Sequence, residues 1–438
     1  MLVRDATLAD GRVRDVRIRS GRIATVGQHL QEDGETIDAD GNLLLPGAVD
    51  AHVHFRQPGF PHKETWASGS ASAAAGGVTT AVDQPNTDPP TVSGAAFDQK
   101  SDLAGASLVD FGINGGVTPD WDPDSLFDRP LFALGEVFLA DSTGEMGIDA
   151  DRFEAALERA RTAGVPVTVH AEDADLFDEA ALDRADEAGE GAAAGVAADA
   201  WSAYRTADAE IAAVERACET AEAVGHPIHV AHTSTPEAVD AAADRGMTFE
   251  ATPHHLLLSR EDYAELGTFG RMNPPLRSED RREALFERLV DGRIDLVATD
   301  HAPHTRAEKT APLSEAPSGV PGVETALPLL LATAREGRLS YERVREVTAS
   351  TPAEVFGLGR KGRIAEGYDA DLVLVDPDAA RPIRAGDLHT KCDWTPFEGR
   401  EGVFPRWTMR RGELVYDARG DGERFGDDDG RDVRAASE

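Results

Sequence analysis

The segment Asp50-Ala51-His52-Val53-His54-Phe55-Arg56 sets two imidazoles two residues apart. On an extended strand, residues i and i+2 point to the same side. One metal ion can therefore be gripped by both rings. Pro46-Gly47 interrupts the preceding segment, so a new strand starts there. Arg56 follows at the strand's mouth, where its planar fork suits bidentate capture of a carboxylate. A His-x-His pair alone also fits an ordinary polar strand end. Its meaning depends on whether other ligands converge on it.

Further ligand types recur at the ends of apolar runs. Glu136 lies in Leu134–Leu139, His170 closes Val167–His170, and His232 closes His229–His232. Asp300 follows Leu296–Thr299 and leads into His301-Ala302-Pro303-His304. His170 alone fits a core histidine, and Glu136 alone a rim salt bridge. His229 and His232 face opposite sides of a strand, so only one can look into a shared mouth. The terminal position favours His232 and leaves His229 structural. His29, His62, His226, His254, His255 and His389 are structural or peripheral by default, with His254 and His255 near the same face. Taken together, four histidines and two or three carboxylates suit a pair of divalent metals.

The elements that must carry these residues alternate between strand and helix. Strands are expected at 48–54, 78–83, 108–114, 131–139, 165–170, 227–232, 247–253 and 295–299. Helices are expected at Asp151–Ala163, Ala207–Val224, Pro236–Arg245 and Glu279–Leu289. Eight strand–helix units predict a (β/α)8 barrel over 47–356, whose strand ends share one catalytic face. A doubly wound sheet competes, but no glycine-rich phosphate turn follows the first strand. Both chain ends show period-two alternation, as in Val13–Ile18, Gly21–Val26 and Trp407–Tyr416. Residues 1–46 and 357–417 are therefore expected to form one small β-sandwich. The Ala-rich stretch 180–200 reads as helix or an insert. Residues 418–438, rich in Asp, Arg and Gly, read as a disordered acidic tail. The 305–321 segment is a candidate lid.

Composition narrows the function. Eighty acidic residues face 44 basic ones, for a net charge of −36. Only five of the basic residues are lysines: Lys63, Lys100, Lys309, Lys361 and Lys391. The acids run along the whole chain, which favours a surface adapted to high salt over a patch for one basic partner. No basic stripe exists for nucleic acid. Cys218 and Cys392 are the two cysteines, which excludes a disulfide framework or a cysteine-rich zinc site. Met1-Leu2-Val3-Arg4-Asp5 is not the start of a signal peptide, and no apolar run spans a bilayer. A cytoplasmic protein is expected.

The motifs together resemble the dihydroorotases of the amidohydrolase superfamily along nearly the whole chain. They are Asp50–Gly59, Gly76-Gly77-Val78-Thr79-Thr80, Gln84-Pro85-Asn86-Thr87, Val169–Asp173 and His229–His232. Met272–Arg277, Ala298–His304 and Gly319–Thr325 continue the series. The resemblance implies two zinc ions, one held by His52, His54 and Asp300, the other by His170 and His232. It implies substrate contacts from Arg56, Asn86, Asn273 and His304, with Asp300 as proton carrier. Many relatives bridge the metals with a carbamylated lysine, but no lysine occurs between Lys100 and Lys309. Glu136 occupies that place, with Asp141 as the alternative bridge. The implied reaction is the reversible cyclisation of N-carbamoyl-L-aspartate to L-dihydroorotate in pyrimidine synthesis. Alternatives are an allantoinase or hydantoinase, or a non-catalytic scaffold subunit. A homodimer, or association with aspartate carbamoyltransferase, is the expected assembly.

Overall fold

The computed structural model describes residues 1–142, 146–187 and 194–435. Eight parallel strands occupy the eight apolar runs: Ala48–Val53, Val78–Asp83, Asp110–Ile113, Leu134–Phe138, Val167–His170, Ile228–Val230, Thr248–Ala251 and Leu296–Val297. The first three form one parallel sheet and the last five another. Parallel bridges between Gly115 and Leu134, and between Val53 and His301, join the two and close a (β/α)8 ring.

Parallel neighbours require crossover connections. These include Trp66–Ala75, Gly94–Ala104, Ala150–Ala163, Ala207–Val224, Pro236–Asp244 and Glu279–Val290. Thr65, Ser93, Asp149, Thr206 and Thr235 each cap a helix start by accepting from a backbone N–H three residues on. The Ala-rich stretch contributes helices Glu179–Glu187 and Ala194–Tyr204, with 188–193 outside the described residues. One end of the barrel interior is filled by Val49, Ala51, Val82, Phe132, Leu296 and Ala298, packed against Phe356 and Leu358.

The small β unit draws on both chain ends, as expected. Leu43–Pro46 pairs antiparallel with Leu372–Val375, which is where the two ends meet. Nine strands are hydrogen-bonded into one sheet. It wraps a core of its own, including Val3, Ile18, Ile23, Leu372, Trp407 and Met409. Among the described residues no helix is long and apolar enough to cross a membrane.

The expected disordered tail is corrected. Strand Glu413–Gly420 continues into a hairpin with Gly422–Phe425. The chain then returns to the barrel, where Phe111 donates to Arg431 O and Val433 donates to Phe111 O. Val433 also packs against the barrel's interior cluster. Composition counted the charges of this segment but not their partners. Arg411 pairs with Asp110, and the Arg431 N–H donates to the same carboxylate at 3.0 Å. Residues 436–438 lie outside the described residues.

His389 helps anchor this hairpin to the barrel. Its Nδ1 is 2.9 Å from Glu324 Oε1 and its Nε2 is 3.0 Å from Glu423 Oε2, with the ring edge-on to Phe425. The hydrogen bond to Glu324, above all, raises the ring above its ordinary value. A raised folded value makes this stabilisation complete below the unfolded value of about 6.5 and removes it as pH rises through the folded value. The melting-temperature gap between wild type and His389→Gln is therefore expected to be larger near about pH 6 than near about pH 9. Equal gaps at both would sink this assignment.

Candidate active site

The barrel brings six ligand-type side chains to one rim. His52 and His54 come from the first strand and its exit, Glu136 from the fourth and His170 from the end of the fifth. His232 and Asp300 follow the sixth and eighth strands. All six are buried. In two triads, His52–His54–Asp300 and His52–Glu136–His232, the donor atoms lie within 4.8 Å of one another. His52 belongs to both: its Nε2 is 3.3 Å from Glu136 Oε2 and 3.6 Å from Asp300 Oδ1. Glu136 Oε1 lies 2.8 Å from His170 Nδ1 and 2.6 Å from His232 Nε2. His170 thus stands beside the second triad, 3.0 Å from His232 Nε2. Asp141 is placed elsewhere: it is exposed, and its carboxylate accepts from the Gly147 N–H at 2.7 Å.

Outer acceptors orient three of the four rings. Glu250 Oε1 lies 2.7 Å from His52 Nδ1, Glu172 Oε2 2.8 Å from His170 Nε2, and Asn86 Oδ1 2.7 Å from His54 Nδ1. Each outer contact leaves the other ring nitrogen for the centre. His229, left structural by its position, holds Glu250 from behind at 3.2 Å and contacts Thr248 Oγ1. Arg205 pairs with Glu172. The Glu136 N–H is fixed at 2.9 Å by Gln84 Oε1. Gly135, at φ 139°, leaves no room for a Cβ, which would lie 2.2 Å from Thr168 Oγ1. Arg56, His232 and Asp300 adopt φ of 63°, 33° and 44°. Non-glycine residues in this region carry backbone strain, and such strain clusters at functional sites.

The electrostatics call for positive charge. Burial alone would push the Glu136 carboxyl up, but the imidazoles of His232 and His52 hold it well below the usual range. Asp300 is lowered in the same way against its burial, chiefly by His54 and His52. Burial favours a neutral His170, yet Glu136 and Glu172 push it up to about 9. Glu250 is held down to about 2 against burial, chiefly by His52. A cation at the centre would satisfy the same carboxylates while the rings stay neutral. His52 Nε2 and His232 Nδ1 are buried without a hydrogen-bond partner. The unpartnered His52 Nε2, 3.3 Å from Glu136 Oε2 and 3.6 Å from Asp300 Oδ1, together with the His232 Nε2 that faces Glu136, makes a donor set that fits a borderline divalent cation.

A cavity opens onto this cluster, lined among others by His54, Arg56, Asn86, Glu136, Asn273 and Ser318. Arg56 is buried, which pulls its guanidinium down to about 10. The Asn273 side chain reaches Ser142, Trp201 Nε1 and Ser318 Oγ, and so ties three loops together. His304 does not line the cavity. It stands behind Arg56, with Nε2 3.0 Å from Arg56 Nη2. The 305–321 segment is held down by buried Lys309, whose Nζ donates to the carbonyls of Arg271, Pro317 and Gly319.

Comparison with known proteins places this geometry. The model of the amidohydrolase family matches residues 143–402, and a dihydro-orotase-like model matches 41–238. A Halobacterium salinarum protein named dihydroorotase is 67% identical, with 99% of each chain covered. The chain belongs to the amidohydrolase family. Another dihydroorotase of this amidohydrolase group, from Methanosarcina mazei, is 43% identical over 92% of this chain and 90% of its own. An allantoinase from Rubrobacter xylanophilus is 38% identical over 95% and 94%. Among solved amidohydrolase structures, an L-hydantoinase from Arthrobacter aurescens superimposes with a TM-score of 0.91 at 28% identity, covering 98% of each chain.

The residues missed from sequence are the outer ones: Glu250, Glu172, Gln84 and Arg205. Glu172 stands two residues after His170, inside a motif that carries the family resemblance. Glu250 lies inside the expected strand 247–253, so a carboxylate placed within a barrel strand was the available signal. Removing an outer partner costs about 10- to 100-fold in metal affinity. Glu250→Ala is expected to weaken metal binding by that factor, measured by competition with a chromophoric chelator. Glu136→Ala is expected to lose at least half the metal that wild type retains, counted by elemental analysis. Undiminished loading would rule Glu136 out as a ligand.

Proposed function

We propose that this amidohydrolase is a dihydroorotase that interconverts L-dihydroorotate and N-carbamoyl-L-aspartate. The observation that carries the reading is a buried arginine, Arg56, lining the same cavity as the ligand cluster. Dihydroorotate presents a carboxylate beside its ring; allantoin and simple hydantoins carry none. The identity to proteins named dihydroorotase points the same way. A scaffold without activity has no need of six buried ligand-type residues oriented by a further shell.

Divalent cations in the two triads, which we take to be two zinc ions, would polarise the ring carbonyl and lower the pKa of a water. In the hydrolytic direction Arg56 grips the substrate carboxylate and sets the ring against the cluster. Asn273 and Ser318 close the cavity around the ring, and Asn86 keeps His54 in register. Asp300, 2.9 Å from His54 Nε2, takes the proton of the attacking water. Oxygen bonds to the ring carbonyl carbon and the carbon–nitrogen bond breaks. Asp300 then delivers the proton to the departing nitrogen, which becomes the terminal ureido group. Cyclisation reverses each step.

The net charge of −36 must not repel an anionic substrate, with one carboxylate on dihydroorotate and two on N-carbamoyl-L-aspartate. High salt screens it beyond about 3 Å at 1 M, so the local field of Arg56 and the metals governs entry. We place the enzyme in the cytoplasm of a salt-adapted cell, in pyrimidine synthesis, as a homodimer or in company with aspartate carbamoyltransferase.

In molar potassium chloride, purified protein is expected to hydrolyse dihydroorotate well ahead of allantoin and hydantoin. A metal-loaded protein that turns over allantoin or hydantoin but not dihydroorotate would overturn the assignment. Asp300→Asn is expected to lower kcat by about 10²- to 10⁴-fold. A kcat within a few-fold of wild type would remove Asp300 from the proton path.

A further inference from the structure

His304 lies between two cations. Its Nδ1 is 3.0 Å from Lys63 Nζ. Its Nε2 is 2.9 Å from the Ser318 carbonyl oxygen and 3.0 Å from Arg56 Nη2. Burial first, then Arg56, Lys63 and Lys309, hold this ring far below the ordinary imidazole range. The ring is therefore neutral and carries one proton, on one of two nitrogens.

The neighbours decide which. An ammonium group donates and cannot accept. Lys63 therefore claims the lone pair of Nδ1, and the ring proton sits on Nε2. From there it is donated to the Ser318 carbonyl. In that tautomer Nε2 has no lone pair to offer Arg56, and Nη2 of Arg56 faces another donor. Arg56 spends its Nε on the Pro303 carbonyl at 3.2 Å. Its Nη1 has no hydrogen-bond partner among the described residues. A guanidinium with its outer fork unspent, lining a cavity, is set for a ligand carboxylate.

Without Lys63 the constraint disappears. The ring can move its proton to Nδ1 and accept from Arg56 Nη2 at Nε2. The guanidinium would then spend part of its fork on the protein. Lys63 is itself held, 3.0 Å from Glu308 Oε1 and over the Phe60 ring. The other Glu308 oxygen accepts from the Thr305 N–H and hydroxyl. Lys63 and His304 are therefore tied through Glu308 to the start of helix Arg306–Lys309.

We infer that Lys63 is a positioning residue for the substrate carboxylate: by donating to His304 Nδ1 it fixes the ring's tautomer and keeps the Arg56 fork free. The inference rests on the dihydroorotate reading of the cavity. It assigns a purpose to one of the few lysines that this arginine-dominated chain retains.

The test pairs kinetics with ¹⁵N NMR of the histidine rings in intact, metal-loaded protein. Lys63→Met is expected to raise KM for dihydroorotate by about 10- to 100-fold, the range for one charge-assisted hydrogen bond. Its kcat is expected to stay within about threefold, because a carboxylate grip serves ground and transition states alike. The His304 ring is expected to show an Nε2–H tautomer in wild type and to shift toward Nδ1–H in the variant. Lys63→Arg, still a donor, is expected to recover both readouts. Lys391→Met is the control. Lys391 is exposed and donates to the Pro61 carbonyl in the same loop, so it removes one charge and one loop contact without touching His304. An unchanged KM, an unchanged tautomer, or an equal effect from Lys391→Met would each overturn the inference. Wild-type protein that does not hydrolyse dihydroorotate would overturn the functional reading instead. In that case a wild-type ring protonated on Nδ1 still overturns the tautomer assignment by itself.

Discussion

Two carboxylates, Glu136 and Asp300, are buried at the barrel mouth and held ionised. A buried charge without a partner costs several kcal/mol, so everything around them supplies positive charge or directs it. His52, His170 and His232 surround Glu136 within about hydrogen-bonding reach, and His54 stands on Asp300. The second layer is acidic again: Glu250 behind His52 and Glu172 behind His170. A third layer, His229 against Glu250 and Arg205 against Glu172, holds that one in place. The centre is thus a set of alternating charges, stable only with protons on the rings or cations among them. The buried His52 Nε2, without a hydrogen-bond partner between Glu136 and Asp300, marks where a cation fits better.

The barrel makes this arrangement affordable in conformational terms. Strand ends deliver the ligands from rigid positions, so little entropy is lost when the site assembles. Strain is confined to the exits. Arg56, His232 and Asp300 all take left-handed backbone angles where their strands turn into loops. Each is a residue whose side chain must be re-aimed toward the rim. The packed barrel interior and the C-terminal segment bound beside Phe111 hold the framework against that strain.

Charge is distributed unevenly between surface and interior. The acids are spread along the whole chain and outnumber the basic residues 80 to 44. The few lysines follow a different rule. Lys100, Lys309 and Lys361 are buried and each satisfies specific acceptors: Asp83 and the Gln84 carbonyl, three backbone carbonyls, and Asp110 with Asp371. A compact ammonium with three donors suits such pockets, where a planar guanidinium would not fit the same geometry. Interior cations therefore tie loops to the barrel while the exterior stays anionic.

Much of this was legible from the chain alone. Apolar runs of five to nine residues separated by amphipathic helices required parallel strands, and all eight runs became barrel strands. Ligand-type residues at the ends of five runs had to converge, because a closed barrel leaves those ends nowhere else to go. The family resemblance implied a bridging lysine on the fourth strand, and the chain has no lysine there, which left Glu136 in that place. Tertiary structure decided what depends on residues far apart in the chain. The partners Glu250 for His52 and Lys63 for His304 lie 198 and 241 positions away, and sequence spacing carries no information about such contacts. The same holds for the final segment, whose charges look disordered until Asp110 and Phe111 are found opposite them. Local pattern determined the elements and the donor types; the closing of the ring determined which donor meets which acceptor.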